Sequence, residues 1–305
     1  MEPIGGTMKL IVVDIGGTSI KSAVCENGLL KQIKETDTQA AKGGEFVVEQ
    51  LIRLIHSMGQ ADGIGVSTAG QVDSASGMIR YANENIPGYT GMRLGEILER
   101  EFAVPAVIEN DVNAAALGEA HYGAAKEIQD FLCLTYGTGV GGAIVQGGEI
   151  YRGIAGSAGE FGSMIIHGEQ VTHGKKISGC YEDYASTAAL VRRVRRRYPE
   201  IENGRQIFKN LELPGMRREV DAWFEEIAHG LVTVIHIFNP GCIVLGGGVM
   251  GQAFAAEAVR DLVNKRIMPS FLDVRIIPAK LGNTAGLWGA VYLIQKRLSC
   301  EGVPQ

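Results

Sequence analysis

The stretch Asp14-Ile15-Gly16-Gly17-Thr18 decides how the chain folds, because an apolar run, residues 10–13, stops there at a carboxylate and a turn. Two adjacent glycines carry no Cβ atoms to block the approach of backbone N–H groups to an anion, while Thr18 adds a hydroxyl donor and Lys21 a charge. Residues 19–24 then alternate polar and apolar, so the pattern reads as strand, phosphate-sized turn, strand. It differs from a Walker A loop, which needs Gly-Lys-Ser/Thr opening a helix, and from a Gly-x-Gly-x-x-Gly dinucleotide turn. Taken alone, the stretch is equally well explained as an ordinary Gly-Gly hairpin.

A second copy of the plan shifts that balance. Residues 131–135 form another short apolar run, followed by Tyr136-Gly137-Thr138-Gly139-Val140-Gly141-Gly142 and a further apolar run, residues 143–145. Each copy ends in a polar, Gly-containing turn, Glu26-Asn27-Gly28 in one and Gln146-Gly147-Gly148 in the other. The repeat period is a whole domain. Two such domains facing each other would bring two Gly-rich tips to one polyphosphate.

Composition bounds the class. A chain of 305 residues with 46% hydrophobic content is long enough for two domains with a core each. A formal charge of −5 argues against a general nucleic-acid or anionic-membrane surface. The arginines at 192, 193 and 195–197 fall in one mostly helical tract, residues 184–198, and read as a solvated face. The charged, Pro/Gly-broken segment 200–216 that follows reads as surface. Five cysteines, odd in number and widely spaced, read as buried thiols of a reducing cytosol. No basic-then-apolar leader and no membrane-length apolar run is present, so a cytoplasmic protein without membrane contact is expected. Residues 1–7 show no periodic pattern and are assigned no function.

Six motifs in order resemble the ROK sugar kinases, within the actin, Hsp70 and hexokinase superfamily of duplicated ATP-binding domains. They are Asp14-Ile-Gly-Gly-Thr18 with Lys21, Asn110-Asp111 followed by Asn113-Ala-Ala-Ala-Leu-Gly-Glu119, Gly137-Thr-Gly-Val-Gly-Gly142, Gly159-Glu160-Phe161-Gly162, Gly179-Cys180-Tyr-Glu182, and Asn239-Pro240 leading to Leu245-Gly-Gly-Gly-Val249. The similarity runs from about Lys9 to near Arg297. It implies an α/β fold of two duplicated, ribonuclease H-like domains with a cleft between them. Residues 1–113 plus 291–305 would form the smaller domain and 114–290 the larger. The family often forms homodimers, the commonest soluble oligomer, so a homodimer is expected.

The resemblance also distributes roles for ATP-dependent phosphorylation of a hexose or hexose derivative. Asp111 opens an Ala-rich stretch, where a carboxylate by itself reads as an N-cap; by resemblance it is the general base. The helix dipole there suits both jobs. Asp14 would hold Mg²⁺ through water. Gly16, Gly17 and Thr18 with Lys21, and Gly137, Thr138 and Gly139, would meet the ATP phosphates, and Gly246, Gly247 and Gly248 the adenosine. Gly70, Asn85, Asn110, Glu160, Ser163 and Glu182 would contact the sugar, the carboxylates as acceptors for its hydroxyls.

Two departures and two rivals remain. Ala69 stands where the family usually has proline before Gly70, which blurs the loop's meaning for the substrate. Zinc-containing members carry Glu-x-Gly-His and then Cys-x-Cys-Gly-x-x-Gly-Cys-x-Glu, giving one His and three Cys. Here Ser163 takes the His position, His173 and Lys175 the first two Cys positions, Lys176 a glycine, and only Cys180 remains. His167, His173 and Cys180 are a scattered set, so no zinc is expected. The family also includes sugar-responsive repressors with a DNA-binding segment ahead of the first motif, but thirteen residues precede Asp14, too few for a helix-turn-helix. A sugar-binding protein without kinase activity is the other alternative.

Overall fold

The computed structural model describes residues 8–82, 84–168, 179–251 and 253–301. The chain begins with β1 (Lys9–Ile15), β2 (Ser19–Glu26), β3 (Leu29–Asp37), α1 (Gly44–Met58), β4 (Gly63–Thr68), β5 (Gln71–Asp73), β6 (Met78–Tyr81), α2 (Leu94–Phe102), β7 (Ala106–Asn110) and α3 (Asp111–Tyr122). It continues with β8 (Phe131–Tyr136), β9 (Val140–Gln146), β10 (Glu149–Ile150), α4 (Tyr181–Ala185), α5 (Thr187–Val194), α6 (Gly204–Lys209) and α7 (Met216–Phe238). Last come β11 (Cys242–Gly246), α8 (Ala253–Asn264), β12 (Arg275–Pro278) and α9 (Ala285–Glu301).

The duplication is visible in the strand order. One sheet runs β3-β2-β1-β4-β7 and another β10-β9-β8-β11-β12, each with an antiparallel hairpin pair on one side and parallel strands on the other. All six residues of the inner parallel strand β4 are buried, as befits a strand covered on both faces. The edge strand β3 is exposed along almost its whole length and carries Lys31 and Lys34, which discourage further pairing.

Two compact units hold these sheets. The first contains the described residues up to 121, 153–157 and those from 284 onward; the second contains 122–152 and 158–283 with the same restriction. All of α9 and all but the last residue of α3 fall in the first unit. A Cβ on Gly118 would collide with the Ala285 carbonyl, and one on Gly289 with the backbone of Ala114, so these helices cross at backbone contact. In the second unit the core gathers around Trp223, Phe224, Ile227 and Leu231 of α7, with Tyr136 and Tyr181 fully buried beside them.

Two expectations change. The helical tract expected over 184–198 is broken at Ser186, whose extended backbone ends α4 and whose hydroxyl accepts the Ala189 N–H to start α5. The segment 200–216, expected as surface, contains α6, capped by Asn203 and anchored by the fully buried Ile207. Among the described residues no helix is long and apolar enough to cross a membrane.

Candidate active site

Strand register builds the first half of the site. Asp14 lies opposite Lys21 across the β1–β2 hairpin and beside Ser67 in the parallel β4 neighbour. The Ser67 hydroxyl donates to Asp14 Oδ1 at 2.6 Å, and Lys21 Nζ stands 3.8 Å from Oδ2. Burial pushes the Asp14 carboxyl up, against the lowering effects of Ser67 and Lys21. A Cβ on Gly286 would lie 2.9 Å from Asp14 Oδ1, so glycine keeps that flank of the carboxylate open.

Asp111 sits where β7 gives way to α3. Burial, followed by the nearby Asp14 charge, raises its pKa to about 7 despite hydrogen bonds that favour the charged form. Asn110 shares the capping: its Oδ1 accepts the N–H groups of Val112 and Asn113, each at 3.0 Å, while Asp111 Oδ1 also accepts the Val112 N–H at 2.9 Å. Asn110 Nδ2 donates to Gly70 O and to Asp111 Oδ1, both at 2.9 Å. Those four bonds fill the amide's usual capacity. Underneath, the fully buried Glu109 accepts from the Asn110 N–H and from Asn113 Nδ2 at 2.9 and 3.1 Å.

The two Gly-rich turns close alike. The Gly16 N–H donates to Ser19 O at 2.9 Å and the Gly137 N–H to Gly139 O at 3.0 Å. The first glycine of each turn thus spends its donor on the turn itself, while Gly17, Thr18 and Thr138 are exposed. Thr18 is held from behind, since its carbonyl accepts the Thr38 N–H.

In the second unit, close backbone approach assembles motifs far apart in sequence. Cβ atoms on Gly142 and Gly159 would strike each other's backbone regions, and one on Gly162 would strike Val140 O. This packs the 159–163 segment, with exposed Glu160 and Ser163, onto β9. Glu182, in α4, reaches the second Gly-rich turn: its Oε2 lies 2.6 Å from where a Gly139 Cβ would be. Asn85 is exposed on the turn after β6, while Asn83 falls outside the described residues.

A cavity of about 820 Å³ opens beside the second turn, lined by Gly137, Thr138, Gly248 and Val249 together with α5 and α6 residues. Gly246 is buried below it, and Gly247 adopts φ +101° with its α-carbon too close to Tyr136 for any side chain. Sequence reasoning missed Thr187, Asn203 and Arg205 on the cavity wall. Arg192 and Arg195, read as solvated, are exposed and also line the cavity, while Arg193 turns away to pair with Glu219 at 3.0 Å. One signal was available, Asn203 ahead of Gly204, an N-cap residue with a helix behind it.

Among the described residues no three His, Cys, Asp or Glu side chains converge on one point as a metal cage. Of the scattered zinc-motif residues, His173, Lys175 and Lys176 lie outside the described residues. His167 Nε2 is 2.9 Å from Glu226 Oε2, and Cys180 is buried.

Comparison with known proteins places this geometry. The ROK family model matches residues 10–297. A β-glucoside kinase of Listeria monocytogenes is 35% identical, covering 93% of this chain and 97% of its own. The ROK hexokinase structure of Thermus thermophilus superposes with a TM-score of 0.78 at 32% identity, over 96% of this chain and all of that one. A ROK glucokinase of Streptomyces griseus, solved with glucose and AMPPNP, gives 0.79 at 29% identity over 94% and 99% of the two chains. With matching motifs, a duplicated sheet order and a family match across nearly its whole length, the chain belongs to the ROK family and has its actin/hexokinase-type α/β fold.

Proposed function

We propose that this protein transfers the γ-phosphoryl group of ATP to a hydroxyl of a glucose-configured sugar, either free or carried as a β-glucoside. It is a sugar kinase, as its β-glucoside kinase and glucokinase relatives support. The observation that carries the mechanism is Asp111, a carboxylate raised to about 7 at a helix start beside a second carboxylate. A base that takes a proton from a sugar hydroxyl works best when its own pKa lies near the working pH.

The other residues follow from their positions. Asn110 braces the Gly70 loop against Asp111, so its service to the sugar is to hold the base and the loop in register. Glu160, Ser163 and Glu182 are assigned to the sugar hydroxyls, and so are Gly70 and Asn85. Gly17, Thr18, Lys21, Thr138 and Gly139 are assigned to the phosphates, Gly16 and Gly137 to shaping their turns, and Gly246–Gly248 with the α5–α6 wall to adenosine. Phosphoryl transfer asks a protein for positioning and charge stabilisation above all, and glycine turns backed by a lysine offer both.

The donor set at Asp14 fits a magnesium ion. Two carboxylates raised by burial, Asp111 also by the field of Asp14, with one lysine beside Asp14 to offset them, form a site that a cation relieves. A single protein carboxylate, with waters and phosphate oxygens completing the shell, is the habit of Mg²⁺ in nucleotide enzymes. Held by Asp14, the ion would neutralise charge on the phosphates. The protein is assigned no zinc, and a homodimer of cytoplasmic chains is the proposed working form.

The substrate class is tested by ADP release over a panel of glucose, cellobiose, methyl β-glucoside, fructose, mannose and N-acetylmannosamine. Turnover confined to the glucose-configured members supports the proposal. A kcat/KM for fructose or N-acetylmannosamine above that for every glucose-configured sugar overturns the substrate assignment.

A further inference from the structure

Two buried tyrosines to which the motifs give no role join the sugar side of the second unit to its phosphate side. Tyr136 ends β8 and immediately precedes Gly137; Tyr181 opens α4 and immediately precedes Glu182. Both are fully buried, their hydroxyl oxygens lie 2.8 Å apart, and the Tyr181 hydroxyl donates to the Ile227 carbonyl of α7 at 2.7 Å. Each phenol has one proton. Since Tyr181 gives its proton to Ile227, Tyr136 is the donor between them, and the chain runs Tyr136 to Tyr181 to α7. Burial pushes both phenols up, so neither ionises in the working pH range.

The surroundings are shaped to this chain. A Cβ on Gly230 would fall within the Tyr181 ring, so α7 is hollowed at that turn to admit it. The rings meet edge-on, with centroids 6.2 Å apart at 89°. Three further ties run beside them. Thr187 Oγ1 donates to Tyr136 O at 3.0 Å, the Ala188 N–H to Gly137 O at 3.2 Å, and Trp223 Nε1 to Ala185 O at 2.8 Å. With Glu182 pressed against Gly139, the 137–139 turn and the α4–α5 corner form one block. A phenylalanine pair could fill comparable space without two buried hydroxyls to satisfy, so stability alone does not call for this chain.

We propose that Tyr181 is a positioning residue that, through Tyr136, fixes Glu182 relative to the 137–139 turn and so makes sugar and nucleotide bind cooperatively. This rests on the reading of Glu182 as a sugar contact and of the turn as a phosphate contact. Ordering one half of the block by its ligand orders the other half in advance, which is sufficient for positive coupling.

The test is the affinity of AMPPNP with Mg²⁺, measured by calorimetry with and without saturating glucose or cellobiose. The ratio of the two dissociation constants is the coupling factor, expected in the wild-type protein at about 5-fold or more. Tyr181→Phe strands the Tyr136 proton and the bond to Ile227, and should bring the factor to within about twofold of unity. Tyr136→Phe leaves Tyr181 on Ile227 and should retain an intermediate factor. The double variant removes both hydroxyls, and should regain thermal stability over Tyr181→Phe without regaining coupling. An unchanged factor in Tyr181→Phe, or a factor restored along with stability in the double variant, overturns the proposal. A wild-type protein that phosphorylates sugar with a factor of one overturns it while the kinase reading stands; a protein that binds and phosphorylates neither sugar overturns both.

Discussion

As the proposed base, Asp111 is poised between two demands, since a base must be ionised to accept a proton and burial beside Asp14 opposes ionisation. Its native pKa of about 7 lies above the ordinary value of 3.8, so between those values the folded protein binds a proton that the unfolded chain releases. Asp111 therefore contributes stability below about pH 4 that is lost as pH rises toward 7. An asparagine in its place has no charge to bury and can still accept the Val112 N–H. Asp111→Asn should thus melt at a higher temperature than wild type at pH 8, with the gap closing at pH 4; equal melting temperatures at pH 8 would contradict the raised pKa. A carbonyl NMR titration of the metal-free protein should place the Asp111 midpoint near 7, and Mg²⁺ with AMPPNP should lower it, because a nearby cation favours the carboxylate. The sequence displayed Asp14 and Lys21 through their places at a turn and Asp111 as an N-cap, with the base role supplied only by the family resemblance. It did not display Ser67, whose contact with Asp14 exists only because β1 and β4 pair in one register across 53 positions.

Among elements, α9 shows how small residues act at a distance from the site. Its Gly286 lies against Asp14 and Ser67, and its Gly289 against the Ala114 backbone of α3, the helix that carries Asp111. Gly289→Val must push these helices apart, an overpacking cost of about 1–3 kcal/mol that denaturant unfolding would read. It should also slow turnover, since α3 moves with its N-terminus. Unchanged stability would show that the helices separate at no cost. The steps that matter in this final helix are between backbones, and no side-chain pattern records which carbonyl a missing Cβ makes room for. The same limit hid α6. Its six residues are too short for a periodic signal, and a tertiary anchor, the buried Ile207, holds it against the wall of the cavity.

At the scale of the molecule, the duplication was legible because each copy repeats a local pattern of strand, Gly-rich turn and strand, and the two sheets confirm it with one strand order. The edges of the units were not legible, since they depend on which helices pack together. The lost zinc ligands yield a prediction for the whole protein: elemental analysis should find no stoichiometric zinc, and a chelator should leave its melting temperature unchanged. One zinc per chain with a chelator-dependent loss of stability would contradict this. The central claim, a sugar kinase with Asp111 as its base, is tested most directly by ADP release with glucose and cellobiose in wild type and Asp111→Asn, alongside calorimetric binding of the same sugars. The account predicts sugar-dependent turnover in wild type and a loss of about 10²-fold or more in kcat for the variant with sugar binding retained; sugar-dependent turnover that survives near the wild-type rate in Asp111→Asn would contradict it.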